Sequence, residues 1–383
     1  MDYGDFPVQN LPYGVFSTVD TGARVGVALG DRILDLSRTD VPYRSDFEQP
    51  ALNTFMARGR SAWDEVRAYL ADAAENVDTT VAMSEARLHL PFEVADYVDF
   101  YSSEQHATNG GRILRPGAEP LSPNWKHLPV GYHGRAGTVV VSGTPIVRPR
   151  GQTRTPGEPP TYGPSNRLDI EAEVGFVVGV PSRMGEPVGI DDFEAHVFGV
   201  VLVNDWSARD IQAWESQPLG PFLAKSFATS TSPWVVPLAA LEHARVDPPV
   251  QDPVPLEYLR TDKAWGLDLS IEIEWNGTVV SRPPYRQMYW TAAQQMAHLT
   301  VNGASLRTGD LYASGTVSGP ERDQVGSLLE LTWNGREPVT LGNGETRGFL
   351  EDGDTITIRA TAPGKDGTTI GFGDVRGVIQ AAR

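Results

Sequence analysis

The stretch Asp99-Phe-Tyr-Ser-Ser-Glu-Gln-His-Ala-Thr-Asn109 sets a carboxylate, a phenol (Tyr101) and an imidazole (His106) within eight residues. Two later segments add to it: Leu168-Asp-Ile-Glu-Ala-Glu-Val174 and Asn204-Asp-Trp-Ser-Ala-Arg-Asp-Ile-Gln212. Each alone is a weak signal. Together they supply four carboxylates for a hard cation, Asp99, Glu171, Glu173 and Asp205. They also supply one candidate base and several cationic or amide groups. Metal-assisted attack on a carbonyl needs this combination.

Asp169, Glu171 and Glu173 alternate with Ile170, Ala172 and Val174, so a strand would put all three acids on one face. Neighbours at i and i+2 would repel by roughly 2–3 kcal/mol at an effective dielectric of about 20. A wet edge strand screens that cost, and an isolated Glu-x-Glu usually sits on one. A buried face needs a cation or proton sharing. Asp99 and Asp205 lie in apolar contexts, the latter at the end of Val197-Phe-Gly-Val-Val-Leu-Val203, and favour the second reading. All-oxygen ligands imply Mg²⁺, Ca²⁺ or Mn²⁺ rather than zinc or copper.

None of the seven histidines forms a His-x-His or His-Glu-x-x-His motif. His106 is the strongest candidate base, seven residues from Asp99 in a polar segment with Tyr101. His133, flanked by glycine in Gly131-Tyr-His-Gly-Arg135, is weaker and could simply cap a turn. Arg209 and Gln212 are three apart on an expected helix and share a face. Ser207 can cap that helix. Lys225, in Phe222-Leu-Ala-Lys-Ser-Phe227, is either a snorkelling side chain or a charge aimed at developing oxyanion density.

The elements that must hold these groups are mostly strands. Ala23 to Leu36 reads as a hairpin turning at Gly30-Asp31, and 51–72 has helical periodicity. Residues 1–90 thus form a small β-rich unit with helical segments and no chemical constellation. From about residue 91 the texture changes. Residues 115–167 are rich in Pro and Gly, with Val139-Val-Val141 as a strand, and their apolar content points to a built site. Leu267 to Trp275 runs into Asn276-Gly277, a hairpin signal, and Leu329 to Trp333 runs into Asn334-Gly335 in the same way. Thr355 to Arg359 is a further strand. Helices are expected from Ser207 to about Glu215 and from roughly Gln287 to Leu299. The fold class is mainly β with some α.

The chain has 383 residues, enough for two or three domains. A net charge of −17 argues against phosphate backbones and anionic membranes as partners, so no nucleic acid and no membrane is expected. No apolar run approaches a bilayer span. Met1-Asp-Tyr-Gly-Asp-Phe lacks a basic start and an apolar stretch, so no secretory signal is expected. Cysteine is absent, which removes disulfides and thiolate chemistry and fits a cytoplasmic protein.

These residues together resemble the fumarylacetoacetate hydrolase family, closely over residues 91–383 and more loosely before. The resemblance is carried by Asp99-Phe-Tyr-Ser-Ser, Gln105-His-Ala-Thr-Asn, Pro123-Asn-Trp, His127-Leu-Pro-Val-Gly-Tyr-His-Gly-Arg-Ala136, Val141-Ser-Gly-Thr-Pro-Ile146 and Asn204 to Gln212. Pro218-Leu-Gly-Pro-Phe-Leu223, Ser232-Pro-Trp-Val-Val-Pro237, Met288-Tyr-Trp-Thr and Ala313-Ser-Gly-Thr316 extend it. It implies a small N-terminal SH3-like β-barrel domain (1–90), a larger C-terminal mixed β-roll catalytic domain (91–383) and a homodimer. It places the metal ligands on Asp99, Glu171, Glu173 and Asp205 and the base on His106. Glu330 falls at the position that orients the base. Oxyanion contacts fall on Arg209, Gln212 and Lys225. Substrate contacts fall on Tyr101, Arg115, Tyr132 and Thr316, with Arg209 and Gln212 shared. A second, structural ion would use Asp205, Thr229 and the backbone of Trp206, Lys225 and Ala228. Two positions depart from the family's pattern. Ser216 stands in place of a substrate-touching tyrosine, and Ala228 in place of glycine.

The activity implied is metal-dependent hydrolysis of the carbon–carbon bond of 4-fumarylacetoacetate to fumarate and acetoacetate, the last step of tyrosine and phenylalanine catabolism, with Ca²⁺ or Mg²⁺ (or Mn²⁺) as cofactor. Ser216 keeps a rival open: a related diketo-acid hydrolase, decarboxylase or isomerase with another substrate. A non-catalytic binding protein on this fold predicts loss of the base or of the oxyanion donors, and all are present.

Overall fold

The computed structural model describes residues 4–73 and 79–383. Most strands belong to one 13-stranded sheet and one six-stranded sheet, with short two-strand ribbons beside them. The first sheet runs from the N-terminal strands Thr80–Ala82, Arg32–Asp35, Thr21–Leu29 and Tyr13–Thr18 directly into the C-terminal part. The joint is Tyr13–Thr18 pairing Trp234–Pro237, with Tyr13 opposite Val235. No pairing among the described residues closes the N-terminal strands into a barrel; the hydrogen-bonded order stays open. One apolar cluster spans the joint, packing Val15, Val27 and Phe55 with Val177, Phe198, Val201 and Leu311.

The hairpin at Gly30 forms as expected, with Leu29 opposite Arg32 and Gly30 at φ +60°. The 51–72 pattern splits into Asn53–Met56 and Arg60–Ala73, because Gly59 breaks the run at φ +87°. Ser270–Trp275 turns at Asn276-Gly277 into Thr278–Ser281. The parallel expectation at Asn334-Gly335 is not met. Leu328–Leu331 is a helical turn, capped by Ser327, whose hydroxyl accepts from the Glu330 N–H. Trp333, Asn334 and Gly335 then carry the positive φ angles that end it. Two helix starts also differ. Arg209–Glu215 begins after a short Ser207–Ala208 strand, and Ser207 donates to the Asp205 carbonyl instead of capping. Ala292–Thr300 begins at Thr291, whose capping box with Gln294 outcompetes an earlier start.

The sheet brings its chemistry to one end. Ala172–Val178 pairs antiparallel with Val197–Asp205, so Glu173 at the start of one strand lies beside the end of the other, opposite Val203. Leu311–Ala313 lies between Ala172–Val178 and Tyr97–Phe100, with Ala313 opposite Gly175 and Asp99. Gly131–His133 sets Tyr132 opposite Asp99, and Thr229–Thr231 sets Thr229 opposite Asp205.

Candidate active site

Asp99, Glu171, Glu173 and Asp205 each offer a carboxylate oxygen, and these oxygens lie within 4.8 Å of one another. All four residues are buried. Asp99 Oδ1 and both oxygens of Glu173 are sealed from solvent with no hydrogen-bond partner among the described residues. Buried acids are normally paired, and an unpaired one is costly. Burial and the repulsion of neighbouring carboxylates push Asp99 and Glu173 well above the usual carboxyl range. Burial also raises Asp205, against the pull of Lys225. A divalent cation would supply the missing partner, and an all-oxygen donor set suits Ca²⁺, Mg²⁺ or Mn²⁺. The residues present therefore fit a metal. Asp169, expected on the same face, is not in the cluster: the strand breaks between Leu168–Asp169 and Ala172–Val178, and the side chain turns to Arg209.

Lys225 is buried rather than snorkelling. Its ammonium ion-pairs with Glu171 and lies 2.9 Å from Asp205 Oδ2. Burial lowers its proton affinity, but Asp205 and Glu171 outweigh that and hold it charged. Glu171 is held well below the ordinary range by Lys225 and Arg209, in spite of burial. Thr229 donates to Asp205 Oδ1 at 3.2 Å, and the Tyr132 hydroxyl donates to Asp205 Oδ2 at 2.9 Å. An open cavity of about 340 Å³, lined by Tyr132, His133, Arg135, Phe222 and Lys225, adjoins this end of the cluster.

His106 lies in the first turn of Glu104–Leu114, a helix started by the Ser103 cap. Its Nδ1 is 2.6 Å from Glu330 Oε2. Glu330 also accepts from Asn109 at 3.0 Å, Ser318 at 3.0 Å and Ser327 at 2.8 Å. Burial opposes the ionised Glu330, but His106, Asn109 and Ser327 outweigh it and lower its proton affinity. An ionised Glu330 accepts from Nδ1–H; in the neutral imidazole Nε2 then carries the free lone pair. The Tyr101 ring meets the His106 ring edge-on at 5.2 Å.

Arg209 donates from Nε to Asp169 at 2.7 Å and from Nη1 to Gln212 at 3.0 Å, and its Nη2 lies 2.8 Å from Glu171 Oε1. Thr316 is buried with an unpartnered hydroxyl. Gly315 precedes it at φ +75°, where a Cβ would come within 2.1 Å of the Phe100 carbonyl, so only glycine makes that turn. Arg115 ends the His106 helix, exposed, and donates to the Pro120 carbonyl. Ser216 directs its hydroxyl to the Gln212 carbonyl at 2.6 Å. Ala228 is not among the positive-φ residues, so alanine is tolerated in place of glycine. His133 is exposed, 3.5 Å from Asp96 and outside the cluster.

Sequence reasoning missed Asn109, Ser318, Ser327 and the partners of Asp169. Two of these had a local signal: Asn109 is three residues from His106 on its helix, and Ser327-x-x-Glu330 is a capping pattern. The other two depend on long-range pairing.

A buried carboxylate cluster beside a carboxylate-held histidine, at one end of a mixed sheet, is the arrangement of a metal-assisted hydrolase. The chain belongs to the fumarylacetoacetate hydrolase family: the family model described as "Fumarylacetoacetate (FAA) hydrolase C-terminal" matches residues 97–380, and "Fumarylacetoacetase N-terminal" matches 9–91. Among its relatives, fumarylacetoacetase of Homo sapiens is 49% identical, covering 99% of this chain and 97% of its own. Fumarylacetoacetase of Caenorhabditis elegans is 50% identical, with the same coverage. Among solved structures, fumarylacetoacetate hydrolase from Exiguobacterium antarcticum shares the fold with a TM-score of 0.59 at 18% identity, covering 97% of this chain and 99% of that one. Among the described residues no helix is long and apolar enough to cross a membrane.

Proposed function

We infer that this chain hydrolyses 4-fumarylacetoacetate to fumarate and acetoacetate, the reaction closing tyrosine and phenylalanine catabolism. The observation that carries the chemistry is the His106–Glu330 pair beside four buried carboxylates, of which Asp99 and Glu173 have unpartnered oxygens. The identity to fumarylacetoacetases over nearly the whole chain supports the substrate.

Asp99, Glu171, Glu173 and Asp205 would hold the cation, Ca²⁺ or Mg²⁺, with Mn²⁺ a competent substitute. When bound, it supplies Lewis-acid polarisation of the diketone and charge stabilisation for the leaving carbanion. His106 Nε2 takes a proton from water while Glu330 holds the ring. The water oxygen attacks the carbonyl next to the fumaryl group. Arg209, Gln212 and Lys225 stabilise the tetrahedral oxyanion. The carbon–carbon bond then breaks, its electron pair leaving with the acetoacetate carbon, and the proton held by His106 restores the balance. Tyr101, Arg115, Tyr132 and Thr316 grip the substrate. The Asp205 carboxylate, the Thr229 hydroxyl and the backbone of Trp206, Lys225 and Ala228 would hold a second, structural ion.

Residues 1–90 serve as scaffold and 91–383 as catalytic domain, a division supported by all the proposed site residues lying beyond residue 98. The active form is a cytoplasmic homodimer. Ser216 favours one alternative, a related diketo-acid hydrolase or decarboxylase, because its short hydroxyl is turned to its own helix.

The test follows the diketone's ultraviolet absorbance with purified protein, with and without EDTA and added Mg²⁺ or Ca²⁺. Metal-dependent loss with fumarate and acetoacetate in equal amounts is expected. No loss from folded, metal-loaded protein, together with turnover of acylpyruvates or oxaloacetate, would transfer the reading to the alternative.

A further inference from the structure

Asp169 shares a segment with Glu171 and Glu173 but stands apart from their cluster. It is fully buried. Its Oδ1 accepts from the Leu328 and Ile170 N–H groups, each at 2.7 Å. Its Oδ2 accepts from Arg209 Nε at 2.7 Å and the Leu329 N–H at 3.0 Å. A carboxylate has about four accepting positions, so this one is filled by the protein itself.

The donors come from two sides of the site. Leu328 and Leu329 open the helical turn that carries Glu330, and Glu330 holds His106. Arg209 reaches Glu171 and Gln212. An acid that only neutralised Arg209 would need one oxygen and no backbone donors. Here one rigid group grips both the guanidinium and the start of the Glu330 turn.

We propose that Asp169 is a positioning residue that fixes Arg209 and the Glu330–His106 pair relative to each other, so that oxyanion donor and base face one reacting carbon. This rests on the function proposed above. Asparagine at this position would set an NH₂ group against one of the present donors, at nearly unchanged volume.

The experiment compares Asp169→Asn, Arg209→Gln and the double variant. Asp169→Asn is expected to lower kcat about 10–100-fold with metal content unchanged. On the Arg209→Gln background the further loss should shrink to a few-fold, because coupled residues are non-additive. Wild-type kcat in folded Asp169→Asn, or an equal loss on both backgrounds, would overturn the proposal. Should that variant not fold, Asp169→Glu makes the same test: one added methylene displaces both grips, reduced kcat is expected, and wild-type kcat overturns the idea. A substrate-independent readout is the low-field proton resonance of the His106 ring N–H. It should move in the folded Asp169 variant, and an unchanged resonance counts against the coupling. Failure of the wild-type protein to hydrolyse 4-fumarylacetoacetate would remove the proposed function and leave this resonance to decide the role of Asp169.

Discussion

His106 Nδ1 stands 2.6 Å from Glu330 Oε2, across 224 residues of sequence. The helix bearing His106 and the helical turn bearing Glu330 each begin at a serine cap, so two local signals orient one long-range pair. Replacing Glu330 by glutamine keeps the shape and removes the charge that fixes the tautomer. We expect kcat to fall by about 10²-fold or more with metal content intact. Steady-state kinetics with elemental analysis checks this, and a near-normal kcat would detach Glu330 from the base.

Thr316 separates binding from folding. Its hydroxyl is buried and makes no hydrogen bond among the described residues. Thr316→Val should raise KM about tenfold while leaving the melting temperature equal or higher, since an unsatisfied polar group is removed. A drop in melting temperature with unchanged KM would make the hydroxyl structural.

Lys225 balances Glu171 and Asp205 in a buried setting. Lys225→Met keeps the stem and deletes the charge. Breaking such a pair costs about 3–5 kcal/mol in typical cases, and losing one oxyanion donor costs about 10²–10³ in rate. Denaturant melts and kinetics at saturating metal measure the two losses; a stable, fully active variant would place Lys225 outside the chemistry.

Cation uptake should release protons. Asp99 and Glu173 are raised well above the usual carboxyl range by burial and by neighbouring acids, so without a cation they hold protons where ordinary carboxylates have lost them. Ligation requires the ionised form. The release should therefore be largest at low pH and shrink as pH rises through the raised values. Titration calorimetry in buffers of different ionisation enthalpy reads the proton count, and zero release across the range would contradict the electrostatics described here.

The candidate metal ligands were legible because acids stand within or at the end of apolar segments: Phe100 flanks Asp99, Ala172 and Val174 flank Glu173, and the Val197–Val203 run leads into Asp205. The hairpins at Gly30 and Asn276-Gly277 were legible from turn chemistry. Asn334-Gly335 carried the same dipeptide and ended a helical turn instead, because the Ser327–Glu330 cap won over strand propensity. Asp169 shows the limit of period-two reasoning. Alternation put it with Glu171 and Glu173, whereas the break at Ile170 turned it to Arg209. The join between the two sheet parts, Tyr13 opposite Val235, has no local signal, since pairing partners 222 positions apart are set by the whole packed sheet.

The most direct test of a histidine base beside a carboxylate-held cation is turnover of His106→Ala, measured with bound metal in the same sample. His106 lies outside the carboxylate cluster, so its loss should leave the metal content of the folded protein at wild-type level. We predict metal-loaded protein with fumarylacetoacetate hydrolysis reduced at least about 10²-fold. Full turnover by the folded, metal-loaded variant would contradict the account at its centre.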